Sequence, residues 1–189
     1  GKYLVRIEDT DSKRSTSEAV QAIHDGLEWL NIFPSEKIIY QSQEIQSHVK
    51  VAFELLEKGF AYKCYLNSED LAEFRIKSRE NGSPIKSPWR DTINYNNDDN
   101  FVIRLKMPSN GRTMIHDLVQ GEVSVNNEIL DDMIILRSDK SPTYMLSSVV
   151  DDYNMGITHV IRGDDHLNNA FRQIPVSYTH LRAHETPSN

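Results

Sequence analysis

The chain has a single cysteine, Cys64, among 189 residues. That excludes an internal disulfide and makes a reducing compartment the natural setting. No apolar run approaches the roughly 20 residues of a membrane span. Nor does a charged start followed by an apolar stretch mark a secretory signal, so the expected location is cytoplasmic, with no membrane partner. Positive charge is also short, since 21 Lys and Arg face 28 Asp and Glu for a net charge of -7. A nonspecific nucleic-acid binder is thereby excluded, and any RNA contact must come from a local patch. Neither Gly-x-Gly-x-x-Gly nor a Gly-Lys-Ser/Thr loop occurs, which removes support for a dinucleotide fold or a P-loop ATPase. No internal repeat or low-complexity tract is present. The apolar content of 38% is enough for a real core, in one large domain or two small ones.

Read in order, residues 3–7 form a near-continuous apolar strand, suited to a parallel sheet covered on both faces. Glu8 and Asp9 emerge at its carboxyl end. Ser15-Thr16-Ser17-Glu18 then reads as a capping box opening a helix with Ala19, Ile23, Gly26, Leu27 and Leu30 on one face. A strand running into a helix in this way is half of a Rossmann-type unit. A second helix carries Ile45, Val49, Ala52, Phe53 and Leu56 as one stripe, with Gly59 as its stop signal. From about Phe60 the character changes. Residues 61–66 read as a short strand, Ser68 caps a polar helix to about Arg79, and 85–100 reads as a long loop. Phe101, Ile103, Leu105 and Met107 alternate as a half-buried strand ended by Pro108 and the Asn110-Gly111 turn. Strands at about 119–125 and 133–137 complete an antiparallel α+β insert.

The most informative stretch is 142–173. Thr143 caps a helix with Leu146, Val149, Val150 and Tyr153 at helical spacing, and Gly156 stands where that helix should stop. Residues 158–161 read as a buried strand that resumes the parallel sheet. Gly163, Asp164 and Asp165 follow at its carboxyl end, where open α/β sheets place ligands. This stretch closely resembles the second half of the catalytic domain of bacterial glutamyl-tRNA synthetases, class I enzymes. The Arg-Ile-Glu-Asp-Thr-Asp run at 6–11 resembles their first half.

The resemblance implies a Rossmann-like α/β core, at 1–59 and 139–174, interrupted at 60–138 by an insert that grips the tRNA acceptor stem. It also implies site residues. Glu8 matches the carboxylate that contacts the amino group of bound glutamate, although position alone favours an ordinary surface acid. Arg6 is expected in structural salt bridges. Arg162 matches the arginine that binds glutamate, as a guanidinium fork suits a carboxylate; its alternative is an ion pair with Asp151, Asp152 or Asp164. Tyr144 matches a substrate-contacting tyrosine whose alternative is packing against Leu146 and Val150, and Ser148 lies one turn on. Asp165 and His166 occupy the segment beside ATP, with helix capping as the competing role. Asp151 and Asp152 are read as structural. Lys13 and Arg14, which follow the family's Asp-Thr-Asp, are tRNA-contact candidates, as are Lys77, Arg79, Lys86 and Arg90 in the insert, although each alone more often reads as a solvated surface charge.

Many bacterial members carry zinc in the insert. A tetrahedral site needs four ligands, and Cys64 with Trp89-Arg90 at the second position does not supply them, so a zinc-free member is expected.

The implied reaction joins L-glutamate to tRNA(Glu) at the expense of ATP, with Mg²⁺ on the phosphates, on a monomer. No catalytic nucleophile is expected among these residues. The family's His-Ile-Gly-His signature would precede Gly1, and its Lys-Met-Ser-Lys-Ser-like loop would follow Gln173. The chain is therefore expected to be a fragment, inactive in isolation, and 175–189 to be an anomalous tail without function, because the helical pattern stops near Pro175. The alternatives are a glutaminyl-tRNA or glutamyl-queuosine synthetase relative, or a noncatalytic tRNA-binding module.

Overall fold

The computed structural model describes residues 1–10, 15–66, 68–82, 84, 86–92 and 100–184. It divides into two compact units, Gly1–Ser47 and His48–Asn189. In the first unit, strand β1 (Arg6–Ile7), helix α1 (Ser17–Trp29) and strand β2 (Ile39–Tyr40) form a parallel strand–helix–strand unit. Arg6 lies opposite Ile39 and Ile7 opposite Tyr40. Two backbone bonds continue the association, from Ser35 N to the Tyr3 carbonyl at 2.7 Å and from Ile39 N to the Val5 carbonyl at 3.1 Å.

The N-cap of α1 falls one residue later than the sequence suggested, and with Ala19 at the third helical position the expected capping box does not form. Thr16 is the N-cap, and its Oγ1 accepts from Ala19 N at 3.2 Å. The stripe expected to be covered is open, since no residue of α1 is buried and Ile23 and Leu30 are 46% and 56% exposed. The apolar run at 3–7 likewise gives a ladder only at Arg6–Ile7.

Helix α2 (Ile45–Glu57), which belongs to the second unit from His48 on, leads into strand β3 (Ala61–Cys64) and helix α3 (Ser68–Glu80). Strands β4 (Val102–Leu105), β5 (Arg112–Asp117), β6 (Gly121–Asn126) and β7 (Ile134–Leu136) follow, then helices α4 (Tyr144–Asn154) and α5 (Leu167–His184). β3, β4 and β7 make one antiparallel sheet, and β5 and β6 a hairpin.

The core is where the inward faces of α2, the three-stranded sheet and α4 meet. Leu55, Ile103, Leu105, Leu136 and Leu146 are all fully buried in it. Each such side chain contributes about 1.5–3 kcal/mol when removed from water.

Both α2 and α4 end on a left-handed glycine, where a side chain would be strained. Gly59 has φ +76° and Gly156 φ +67°. Phe60 N then reaches back to the Leu55 carbonyl at 2.9 Å, and Ile157 N to that of Asp152 at 2.9 Å. These six-residue closures satisfy carbonyls the helices would otherwise leave open.

Two buried polar ties complete the unit. His48 on α2 and Asp151 on α4, both buried, meet at 2.6 Å between Nε2 and Oδ1. Asp132, fully buried, accepts from the Arg90 guanidinium, from Tyr62 Oη at 3.0 Å and from Met107 N at 3.0 Å. Arg90 also donates to the Met107 carbonyl at 2.8 Å. Arg90, one of the candidate tRNA contacts, thus has its guanidinium engaged inside the fold. Arg79 has no described side chain.

Three further expectations change. Residues 158–161 belong to no sheet among the described residues, and Val160 and Ile161 are 56% and 100% exposed. Their β-branched composition favours extended backbone, but a strand requires a ladder partner, and composition does not supply one. β5 was not anticipated at all. Helix α5 runs through Pro175 to His184 instead of stopping there. Proline removes one helical hydrogen bond, and the burial of Phe171 and Val176 in the core on either side offsets that loss.

Candidate functional site

Helix α4 supplies two of the residues singled out from the sequence. Thr143 is its N-cap by position, yet its hydroxyl does not cap; it donates to the Ile134 carbonyl at 2.9 Å and holds the helix start against β7. Tyr144, the first helical residue, is 44% exposed, so packing does not consume its ring. One turn on, Ser148 is buried and donates from Oγ to the Tyr144 carbonyl at 2.9 Å.

Arg162 lies on the irregular segment after α4 and is half-buried. Its Nη1 donates to Gln173 Oε1 at 2.8 Å, and Gln173 Nε2 donates to Ser148 Oγ at 2.7 Å. Arg162, Ser148 and the Tyr144 backbone are thus brought into one chain of hydrogen bonds. Gln173, which closes it, was not singled out from the sequence, because a neutral amide inside a helix carries no motif. Of the acids considered as ion-pair partners for Arg162, Asp151 is paired with His48, and Asp164 accepts from Gln120 Nε2 at 2.6 Å.

Beyond Gly163 the chain makes a 3-10 turn at Asp164–His166, closed by His166 N to the Gly163 carbonyl at 3.0 Å. Asp165 and His166 are exposed here, with His166 Nε2 3.6 Å from Asp165 Oδ2. The Asp165 carboxylate folds over Gly163 so closely that a Cβ at 163 would stand 2.5 Å from Oδ1.

The β5–β6 hairpin reaches this turn through Gln120. The hairpin's own turn is shaped by Asp117, whose Oδ1 accepts from Val119 N and Gln120 N, both at 2.8 Å. Those amides, Gln120's first, hold the Asp117 carboxyl below its ordinary range.

In the first unit, Glu8 is exposed and accepts from Arg6 Nη2 at 3.4 Å, so the salt bridge expected of Arg6 includes Glu8 itself. Asp9 is bound by Ser42, through N at 2.8 Å and Oγ at 2.6 Å. Lys13 and Arg14 lie outside the described residues. Cys64 is buried, with its sulfur 3.3 Å from Ser87 Oγ.

Fold and site together define a mixed α/β protein that opens on a parallel strand–helix–strand unit and carries an antiparallel middle section and an arginine not offset by a carboxylate among the described residues. The chain belongs to the class I tRNA synthetases (E and Q), whose catalytic-domain model matches residues 1–187.

Two curated relatives illustrate the match. "Glutamate--tRNA ligase 2" of Novosphingobium aromaticivorans is 52% identical over 180 residues, covering 93% of this chain and 37% of the relative. "Glutamate--tRNA ligase" of Caulobacter vibrioides is 51% identical over 173 residues, covering 92% and 37%. The chain therefore spans little more than a third of the length of these relatives. Among solved structures, a glutamate tRNA ligase from Elizabethkingia meningosepticum in complex with its amino acid aligns with a TM-score of 0.82 at 27% identity, over 95% of this chain and 40% of that one.

Proposed function

We propose that these residues serve an enzyme that activates L-glutamate with ATP and attaches it to tRNA(Glu). The observation that carries the reading is the Arg162 guanidinium, half-buried and hydrogen-bonded to a neutral amide, so that its charge is available to a carboxylate of the substrate. Tyr144 and Ser148 are assigned to the same substrate, and Glu8, in the first unit, is assigned to its ammonium on the strength of the family resemblance alone. The relatives named as glutamate ligases support glutamate over glutamine as the amino acid.

In the first step the α-carboxylate of glutamate attacks the α-phosphorus of ATP. A carboxyl–phosphorus bond forms and the bond to pyrophosphate breaks. In the second, a terminal ribose hydroxyl of the tRNA attacks the acyl carbon and AMP leaves. Both steps depend on holding the reactants in line and on balancing developing charge, so the protein need not supply a nucleophile.

Asp165 and His166, exposed on their turn, are assigned to the nucleotide. Among the described residues no group of three His, Cys, Asp or Glu side chains is placed to hold a metal ion. Mg²⁺ would thus be carried by the phosphates, where it offsets their charge.

The proposed organisation is a catalytic core at 1–59 and 139–174 around an acceptor-stem insert at 60–138, with 175–189 outside the functional part. Lys13 and Arg14 would approach the tRNA. We place the protein in the cytoplasm as a monomer; no helix among the described residues is long and apolar enough to cross a membrane.

The test is pyrophosphate exchange into ATP by the full-length protein containing these residues. Glutamate should support it, and glutamine should fail by on the order of 10⁴-fold in kcat/KM, as expected where a site's polar group is left without its partner. Exchange driven equally well by glutamine would refute the assignment.

The insert is proposed to be zinc-free, on the grounds that Cys64 is the chain's one cysteine and is engaged with Ser87. Metal analysis of purified, tag-free protein should find far less than one zinc per chain, and a stoichiometric amount would overturn this.

A further inference from the structure

We propose that Gln173 is a positioning residue, which aims the Arg162 guanidinium while leaving its charge uncompensated. The inference rests on the reading of Arg162 as the group that binds a substrate carboxylate.

The proton order of the network is fixed by chemistry. The one hydroxyl proton of Ser148 is committed to the Tyr144 carbonyl at 2.9 Å, so Ser148 Oγ can only accept from the next member. Gln173 must then present its NH₂ to Ser148, at 2.7 Å, and its oxygen to Arg162, at 2.8 Å. A guanidinium is donor-only, which suits that oxygen. No other orientation of the amide satisfies all three members.

The need for such a device follows from where Arg162 sits. Residues 158–161 have no ladder among the described residues to fix them, and Val160 and Ile161 are exposed. An arginine on such a segment would be expected to wander. Gln173 instead ties it to α4, through partners that are themselves only 7% and 3% exposed at Gln173 and Ser148. Helix α4 is in turn held to α2 by the buried His48–Asp151 pair.

The choice of an amide over a carboxylate matters. A carboxylate at 173 would hold the guanidinium equally well but would form an ion pair with it and compete with the substrate. An amide orients without neutralising. Arg162 accordingly has an oriented fork, and no carboxylate among the described residues makes an ion pair with it.

The experiment uses Gln173→Glu and Gln173→Met in the full-length protein containing these residues, with Arg162→Gln alongside. Glutamate-dependent pyrophosphate exchange gives KM for glutamate and, separately, for ATP, and thermal unfolding checks the fold. The expected order of KM for glutamate is Gln below Met below Glu. Gln173→Glu should raise it by about tenfold or more, as a competing charge inside the site requires, with KM for ATP and the melting temperature little changed. A normal KM for glutamate in Gln173→Glu, with Arg162→Gln defective, would overturn the positioning role alone. A normal KM in both would remove the reading of Arg162 beneath it. Equal increases in both KM values, tracking a lowered melting temperature, would show a merely structural glutamine and also overturn the proposal.

Discussion

Asp132→Ala is expected to destabilise the second unit by about 3–5 kcal/mol, the range for removing one partner of a buried ion pair. The carboxylate is fully buried and serves three donors at once: the Arg90 guanidinium, the Tyr62 hydroxyl and the Met107 backbone amide. Alanine would leave a phenol and an N–H in the core without acceptors, and would leave Arg90 to the Met107 carbonyl and Ser109 alone. The Tyr62 phenol is no substitute acceptor. Burial first, and the Asp132 charge second, push its pKa far up; burial persists in the variant, so the phenol stays protonated and offers Arg90 no anion in place of the lost carboxylate. Urea unfolding followed by circular dichroism would measure the loss. A change below about 1 kcal/mol, the worth of an ordinary hydrogen bond, would show that Asp132 does not hold the segment carrying Arg90 to the sheet.

On the proposed reading of Arg162, Arg162→Gln in the full-length protein containing these residues should lower kcat/KM for glutamate by about 30-fold to several thousand-fold. The figure follows from about 2–5 kcal/mol for a charged hydrogen-bonding partner, at 1.36 kcal/mol per factor of ten. Much of it would come from leaving the substrate carboxylate unpaired. Glutamine at this position is uncharged and shorter in reach, and it would meet the Gln173 oxygen without the guanidinium fork. The loss should fall on glutamate more than on ATP. Exchange at nearly the unaltered rate would make Arg162 a structural residue and leave the amino-acid pocket unassigned.

What could be read from the chain beforehand was whatever is specified locally. Gly59 and Gly156 mark helix ends because only the backbone of their own turn decides them, and both occupy the left-handed conformation their positions required. The α1 start was legible to within one residue, since Thr16 and Ser15 are both competent caps and the sequence does not choose between them. The 158–161 segment was misread because a ladder is a property of two segments. β5 was missed because Met114 and Ile115 are adjacent apolar residues, which blurs a two-residue alternation; only Thr113 is buried, and its hydroxyl is bound to Asn127 Oδ1 at 2.6 Å. α5 was cut short because proline argues against a helix locally, whereas burial of Phe171 and Val176 argues for it from a distance. Within the candidate site, Arg162 is singled out by the family resemblance, since charge and position alone left an ion pair equally open. Gln173 is not, since its significance lies wholly in the two side chains that converge on it.

Gly163 constrains more than its own position. Its backbone is extended, with φ -63°, so left-handed freedom is not what glycine provides here. What it provides is vacant space, occupied by the carboxylate two residues on. Positions 163 and 165 are therefore coupled: a methyl group at the first would turn the carboxylate of the second away. A mutational library that scores single substitutions would attribute to 163 any loss that arises through the displaced Asp165 carboxylate, whereas one that randomises both positions together would separate the two.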